Sequence, residues 1–205
     1  VYLQMYKGFR AHQRSVEITV DPALISPDDV LYIFTCLYND TPSFFFLEVA
    51  NARWITKIAT GYLFAVKYQY SEDEINRYDS ELVKGLQIFK SRYISETMTA
   101  FEKEVVIHDY LVRTVSYDYE SLTTDEQLLR HGEIFNVLGP LLRKKAVCRG
   151  IAYAFKLLCD YCGIKCFVVI GRVKYSEKHD AGHAWNIVRL ENDNYHVDVT
   201  WDINS

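Results

Sequence analysis

Helical and strand periodicities alternate along this chain, and together they predict a mixed fold in which helices pack against antiparallel strands. Three observations carry that reading. From Arg149 to Tyr161 the apolar residues Ile151, Ala154, Phe155 and Leu158 recur at helical spacing. The β-branched and aromatic run Ile164 to Ile170 then reads as a buried strand. Finally, the segments His183 to Val188 and Tyr195 to Trp201 are separated by the short polar stretch Glu191-Asn192-Asp193-Asn194, whose turn chemistry predicts an antiparallel hairpin.

The N-terminal half supplies supporting elements. Ser26-Pro27-Asp28-Asp29 marks a helix start, with an N-cap serine, proline at the first position and acids in the first turn. That helix should run to about Tyr38. Phe44 to Val49 and Trp54 to Ile58 read as strands, and Tyr62, Phe64, Val66, Tyr68 and Tyr70 alternate along another with one aromatic face. A helix is expected from about Ser80, with Leu82, Leu86, Phe89 and Tyr93 on one side, and another from Thr99, where Thr99 and Glu102 fit a capping box. Most of the 16 tyrosines and 11 phenylalanines should be core, and some of the alternating tyrosines could instead line a groove for an extended peptide. No internal repeat, low-complexity tract or clear linker interrupts the chain. Residues 1–95 are assigned to a support region and 96–205 to a catalytic core, together forming one unit.

Composition narrows the function classes. The 205 residues are enough to bury a full core, and 49% hydrophobic with 24% charged residues excludes a disordered chain. A net charge of −4 argues against generic nucleic-acid binding. No apolar run approaches the roughly 20 residues that span a bilayer. The chain begins at Val1 without a signal-like segment, which fits an excised or processed portion, so its ends assign no compartment and leave a secreted or cell-surface setting open.

Cys148 is the first candidate for chemistry. It follows Arg143, Lys144 and Lys145 and opens the helical run, so it should sit at a helix N-terminus. There the free backbone N–H groups and the positive end of the helix dipole favour a thiolate, and cationic neighbours would favour it further. The same N–H groups suit an oxyanion on an attacked carbonyl. Free cysteines are more often buried hydrophobes, and that is the reading given to Cys159, Cys162 and Cys166, which straddle a helix end and the next strand and lack a fourth metal ligand nearby. Gly163 reads as the left-handed residue closing the helix, Gly171 as the end of the following strand, and Arg172 to Gly182 as a polar loop.

Strand periodicity then relates His183 to Asp198. If the turn centres on Glu191 and Asn192, Trp185 faces Asp198 and His183 faces Thr200, making His183 and Asp198 diagonal neighbours on one face. If it centres on Asn192 and Asp193, Asp198 slides two residues away and a bulge is needed. Catalysis requires one imidazole nitrogen for the thiol and the other for a carboxylate that fixes tautomer and orientation. Arg149 is read either as a tuner of the thiol or carboxylate binder, or as a solvated charge. His108, His179 and His196 have no partner visible in the sequence.

The segment Ala146-Val147-Cys148-Arg149-Gly150, followed by His183-Ala184-Trp185-Asn186 and Asp198-Val199-Thr200-Trp201-Asp202, resembles the transglutaminase-like superfamily, and more narrowly its bacterial members of the cysteine-protease type. The likeness is close over residues 139–202 and looser through Ile107-His108-Asp109-Tyr110-Leu111, Tyr117-Asp118 and Asp40-Thr41-Pro42-Ser43-Phe44-Phe45. It implies an α+β, papain-like/transglutaminase-like core, with the cysteine helix packed on an antiparallel sheet carrying the histidine and aspartate. Cys148, His183 and Asp198 are then the catalytic residues, acting on a protein or peptide substrate with no cofactor and no metal. Relatives carry a tyrosine just after the glycine that follows the cysteine, or two residues after it, where this chain has Ile151-Ala152, and an aromatic where it has Leu138. Those departures bear on the cleft, and Tyr117 and Tyr119 are only guesses for a second oxyanion donor. The implied reaction is acyl transfer through a thioester, with hydrolysis of peptide or glutamine amide bonds preferred. A cross-linking transglutaminase, a non-catalytic interaction module of the same fold and an arylamine acetyltransferase are the alternatives.

Overall fold

The computed structural model describes residues 1–49, 53–120, 132–176 and 179–203. The chain divides into two compact units, Val1–Asn76 and Arg77–Ser205.

In the first unit, helix α1 (Tyr2–Arg10) leads into strand β1 (Ser15–Thr19), helix α2 (Pro27–Asp40), and strands β2 (Arg53–Ile58) and β3 (Gly61–Val66). The strands form an antiparallel sheet in the order β1-β3-β2. Helix α2 starts at the expected N-cap serine, which turns out to be half of a capping box, Ser26 accepting from the Asp29 N–H while Asp29 accepts from the Ser26 N–H. Tyr62, Phe64, Val66 and Tyr68 are buried, and the Tyr62 and Tyr68 hydroxyls donate to the carbonyls of Ile25 and Gln13. This aromatic row is therefore core, with its polar ends satisfied, and those residues line no groove. The strand expected over Phe44 to Val49 does not form. Its residues run through turns, with one bridge from Leu47 to Tyr68, because Phe44, Phe45, Phe46 and Leu47 are all buried and no face is left for alternation to mark.

Helix α3 (Glu72–Tyr93) begins a full two turns before Ser80. Its start is signalled by Ser71 and Glu74, which exchange the same reciprocal cap bonds that Thr99 and Glu102 make at α4 (Ala100–Thr114). A short parallel pair follows, β4 (Ser116–Tyr117) with β5 (Lys145–Ala146). Between them lie a 3₁₀ turn, Gly132–Phe135, and a π-helical turn, Gly139–Arg143. Helix α5 (Cys148–Tyr161) then enters the centre of the second unit. It buries Ile151, Ala154, Phe155 and Leu158 against Leu86 and Phe89 of α3, Ile107 and Leu111 of α4, and Val188. Gly163, at φ +77°, ends it as expected.

Strands β6 (Lys165–Ser176), β7 (His179–Leu190) and β8 (Asp193–Val197) form an antiparallel sheet in that order. Two expectations are corrected here. Gly171 does not end the first strand, and the segment from Arg172 onward is no loop. The ribbon continues, with Arg172 paired to Gly182 and Val173 to Ala181. Its polar outer half lies beyond the core, so strand pairing persists where hydrophobic alternation has stopped. Residues 177 and 178 of the expected loop lie outside the described residues. The second correction concerns Tyr195 to Trp201. The strand stops at Val197, and helix α6 (Val199–Ile203) takes over.

Candidate functional site

Cys148 is the first residue of α5, and Val147 precedes it as an N-cap that makes no side-chain cap bond. Valine offers no acceptor to the helix N–H groups. The first turn beside the thiol therefore keeps donors that a capping side chain would otherwise occupy. Gly150 packs this turn tightly: a Cβ there would collide with the Ile134 carbonyl oxygen of the 3₁₀ turn, whose oxygen also accepts from the Val147 N–H at 3.2 Å.

The positive charges expected to favour the thiolate are engaged elsewhere. Arg143 is held bidentately by Glu133 at 2.7 and 3.1 Å. The Lys144 ammonium donates to the Tyr110 hydroxyl and the Leu141 carbonyl. Lys145 pairs with Asp118 and Glu120. Each of these three cations therefore has near partners of its own, while the helix terminus stands beside Cys148. Arg149 donates to the Tyr153 hydroxyl at 3.2 Å and lies over that ring. Tyr117 and Tyr119 rest against each other, with Tyr119 exposed.

His183 and Asp198 are brought together. The β7–β8 pairing sets Leu190 opposite Asp193 and Asn186 opposite Val197, so the turn is Glu191-Asn192, the first of the two registers left open by sequence. Glu191 takes the left-handed conformation at φ 54°. His183 is 5% exposed, and its Nε2 lies 2.6 Å from the Asp198 Oδ2. An ionised carboxylate only accepts, so the bond to Asp198 uses an Nε2 proton and leaves Nδ1 outside it. The other oxygen, Oδ1, accepts from the Thr200 N–H at 3.2 Å, so Asp198 also caps α6. Loss of the strand after Val197 thus fixes the carboxylate from two sides. Among the described residues no hydrogen bond joins the Cys148 sulfur to His183.

Three neighbours to which the sequence assigned no role lie beside this arrangement. Asn186 is buried and its amide donates to the Ala152 carbonyl at 3.0 Å, which ties β7 to α5 one turn below Cys148. Trp185 stacks on His183 with ring centroids 5.9 Å apart at 19°, and its Nε1 donates to the His196 Nδ1 at 2.9 Å. His108 on α4 bonds Asp202 on α6 at 2.9 Å. The diagonal rule that related His183 to Asp198 would also have paired Trp185 with His196. The His108 contact, across 94 positions, left no local signal. Cys159 and Cys166 are buried, as expected of inert thiols, and burial pushes the Cys159 pKa up. Among the described residues no helix is long and apolar enough to cross a membrane.

The model of the transglutaminase-like superfamily matches residues 89–199, more than half of the chain, and includes Cys148, His183 and Asp198. The chain belongs to the transglutaminase-like superfamily. Among solved structures this superfamily member is similar to a TGase, with 15% identity and a TM-score of 0.49, over 90% of this chain and 49% of that one. It is also similar to a candidate cysteine protease from Cytophaga hutchinsonii (13% identity, TM-score 0.44, 72% of this chain and 61% of that one). A third likeness is to a candidate protease from Parabacteroides distasonis (12%, 0.41, 73% and 30%). The chain therefore spans about half the length of the first of these proteins. No curated protein matches the chain.

Proposed function

We propose that this transglutaminase-like chain is a thiol enzyme of acyl transfer, with Cys148 as nucleophile, His183 as proton carrier and Asp198 as the carboxylate that orients it. The observation that carries the reading is the 2.6 Å bond from His183 Nε2 to an Asp198 itself fixed as a helix cap. It leaves Nδ1 as the nitrogen for the thiol, while Cys148 opens a helix whose N-cap occupies none of the adjacent N–H donors with a side chain.

In the reaction, His183 accepts the thiol proton and the Cys148 sulfur attacks the amide carbonyl carbon, placing negative charge on its oxygen beside the first turn of α5. The carbon–nitrogen bond then breaks, and the imidazolium gives its proton to the departing amine or ammonia. Water, deprotonated by His183, attacks the thioester, releasing the carboxylic acid product and regenerating the thiol. We take water as the acceptor because the motif likeness is nearest to protease-type members. A lysine amine in place of water would make the same thioester a cross-linking intermediate.

The test is thiol reactivity with product analysis. Cys148 should be alkylated faster than the other four thiols, with a pH dependence that His183→Ala abolishes. Mass spectrometry on a peptide containing glutamine and lysine should show chain cleavage or a deamidation mass shift that Cys148→Ala removes. Amine incorporation would assign the cross-linking reaction instead. Ordinary alkylation of Cys148, with no activity lost in Cys148→Ala, would leave the fold as an interaction module.

A further inference from the structure

The Trp185–His196 pair has no place in the three-residue chemistry, yet it touches His183 directly. Three independent features fix it. The Trp185 indole N–H donates to the His196 Nδ1 at 2.9 Å, and the indole ring lies 19° from the plane of the His183 imidazole. Gly171, the cross-strand partner of His183, leaves the space that the indole fills: a Cβ there would stand 2.6 Å from the Trp185 Cη2. We propose that Trp185 and His196 form a positioning pair for His183, in which the unprotonated Nδ1 of His196 holds the indole flat against the imidazole. The proposal rests on His183 being the proton carrier of the triad.

The physical argument runs from donor to ring. An indole N–H has no acceptor capacity, so the bond exists only while His196 offers a lone pair at Nδ1. Protonation there turns the acceptor into a donor and sets two N–H groups against each other. Released from His196, the indole regains freedom about its side-chain torsions, and His183 loses one wall. An indole face also favours a cation stacked on it, so a fixed Trp185 supports the imidazolium that must form when the thiol gives up its proton. Among the described residues Lys165 of β6 lies across from Arg189 on this face, and the charged groups nearest His196 in the register are Arg189 on β7 and Asp198 just beyond β8. They flank it in the strand register, two positions from its cross-strand partner Ile187 and two from His196 itself. Asp198 is engaged by His183 and Thr200, so neither flanking group replaces the acceptor for the indole.

A purely structural cross-strand pair would make the same hydrogen bond, so the test must read His183. Two measurements are made on Trp185→Phe, His196→Ala and His196→Asn. Asparagine places its amide oxygen where Nδ1 stood and does not titrate. The first measurement is the pH profile of Cys148 alkylation by iodoacetamide. His196→Ala and Trp185→Phe should each slow it, roughly fivefold for one lost hydrogen bond, with no further loss when combined. His196→Asn should restore the neutral-pH rate. The second is the titration of the His183 ring nitrogens by NMR in a Cys148→Ala background. It should move in His196→Ala and return in His196→Asn. Unchanged His183 titration in His196→Ala, or no rescue by His196→Asn, overturns the proposal. If His183→Ala leaves Cys148 alkylation untouched, the triad reading fails by itself, and the NMR titration still decides whether the pair governs the imidazole. His196 is exposed, so its substitutions do not endanger folding.

Discussion

Gly150 and Gly171 show how single missing atoms shape the site. At Gly150 the obstacle to a side chain is backbone, the carbonyl of Ile134, which cannot rotate away. Gly150→Ala should therefore cost about 3 kcal/mol of stability, measurable by denaturant unfolding, and displace the first turn of α5 with its thiol. At Gly171 the obstacle is an indole ring, which can shift. Gly171→Ala should cost less, about 1 kcal/mol, but should move Trp185 off His183, visible as altered tryptophan fluorescence. The sequence placed Cys148 at a helix start, and the structure keeps that position because its signal is local. It misjudged the lysines and arginine beside it because charge counting along the chain ignores partners such as Glu133 and Asp118, which only folding brings near.

Helix α6 is the element on which the site depends most and the one hardest to foresee. Its five residues follow directly on Asp198 and end one position beyond Asp202, which His108 grips from α4. Val199-Thr200-Trp201 carries β-branched and aromatic residues and reads as strand, but tertiary anchors at both ends override that preference. Burial alone would pull the His108 pKa down. Hydrogen bonds to Asp202 and Asp109 outweigh it and hold the pKa above its ordinary value of 6.5. The sign follows: a raised folded pKa gives stability that is full below 6.5 and fades as pH rises through the folded value. Thermal unfolding from pH 6 to pH 8 should thus show the wild type losing its advantage over His108→Gln. An advantage that grows with pH would refute the clamp. The long helices were legible because capping boxes mark them, and Ser71 with Glu74 shows that the signal for α3 was present nine residues ahead of the chosen start. Strand ends were less legible, since β6 and β7 continue as a polar ribbon after their hydrophobic alternation stops.

At the scale of the whole chain, each unit carries its own core. Phe64→Ala removes a fully buried ring from the first and Phe155→Ala one from the second, and each should cost about 3–5 kcal/mol within its unit. Only Phe155→Ala should slow Cys148 alkylation, because its ring anchors the cysteine helix in the core of the second unit. Equal loss in both would show that the division at residue 76 is not an energetic one. The order cysteine helix, histidine strand, aspartate was readable along the sequence, whereas its closure depended on a turn register that two-residue periodicity alone could not choose. The structure settles that register with Glu191 in a left-handed conformation, one that costs a non-glycine residue about 1 kcal/mol. This turn works as a ruler for the contact between His183 and Asp198. Replacing Glu191 with glycine should relieve the strain, yet inserting one residue beside it would turn Asp198 toward the opposite face of the sheet. The chain can accept many changes of composition at that corner and almost none of length, so a natural or designed variant with a longer hairpin there would keep its fold while its histidine lost the carboxylate.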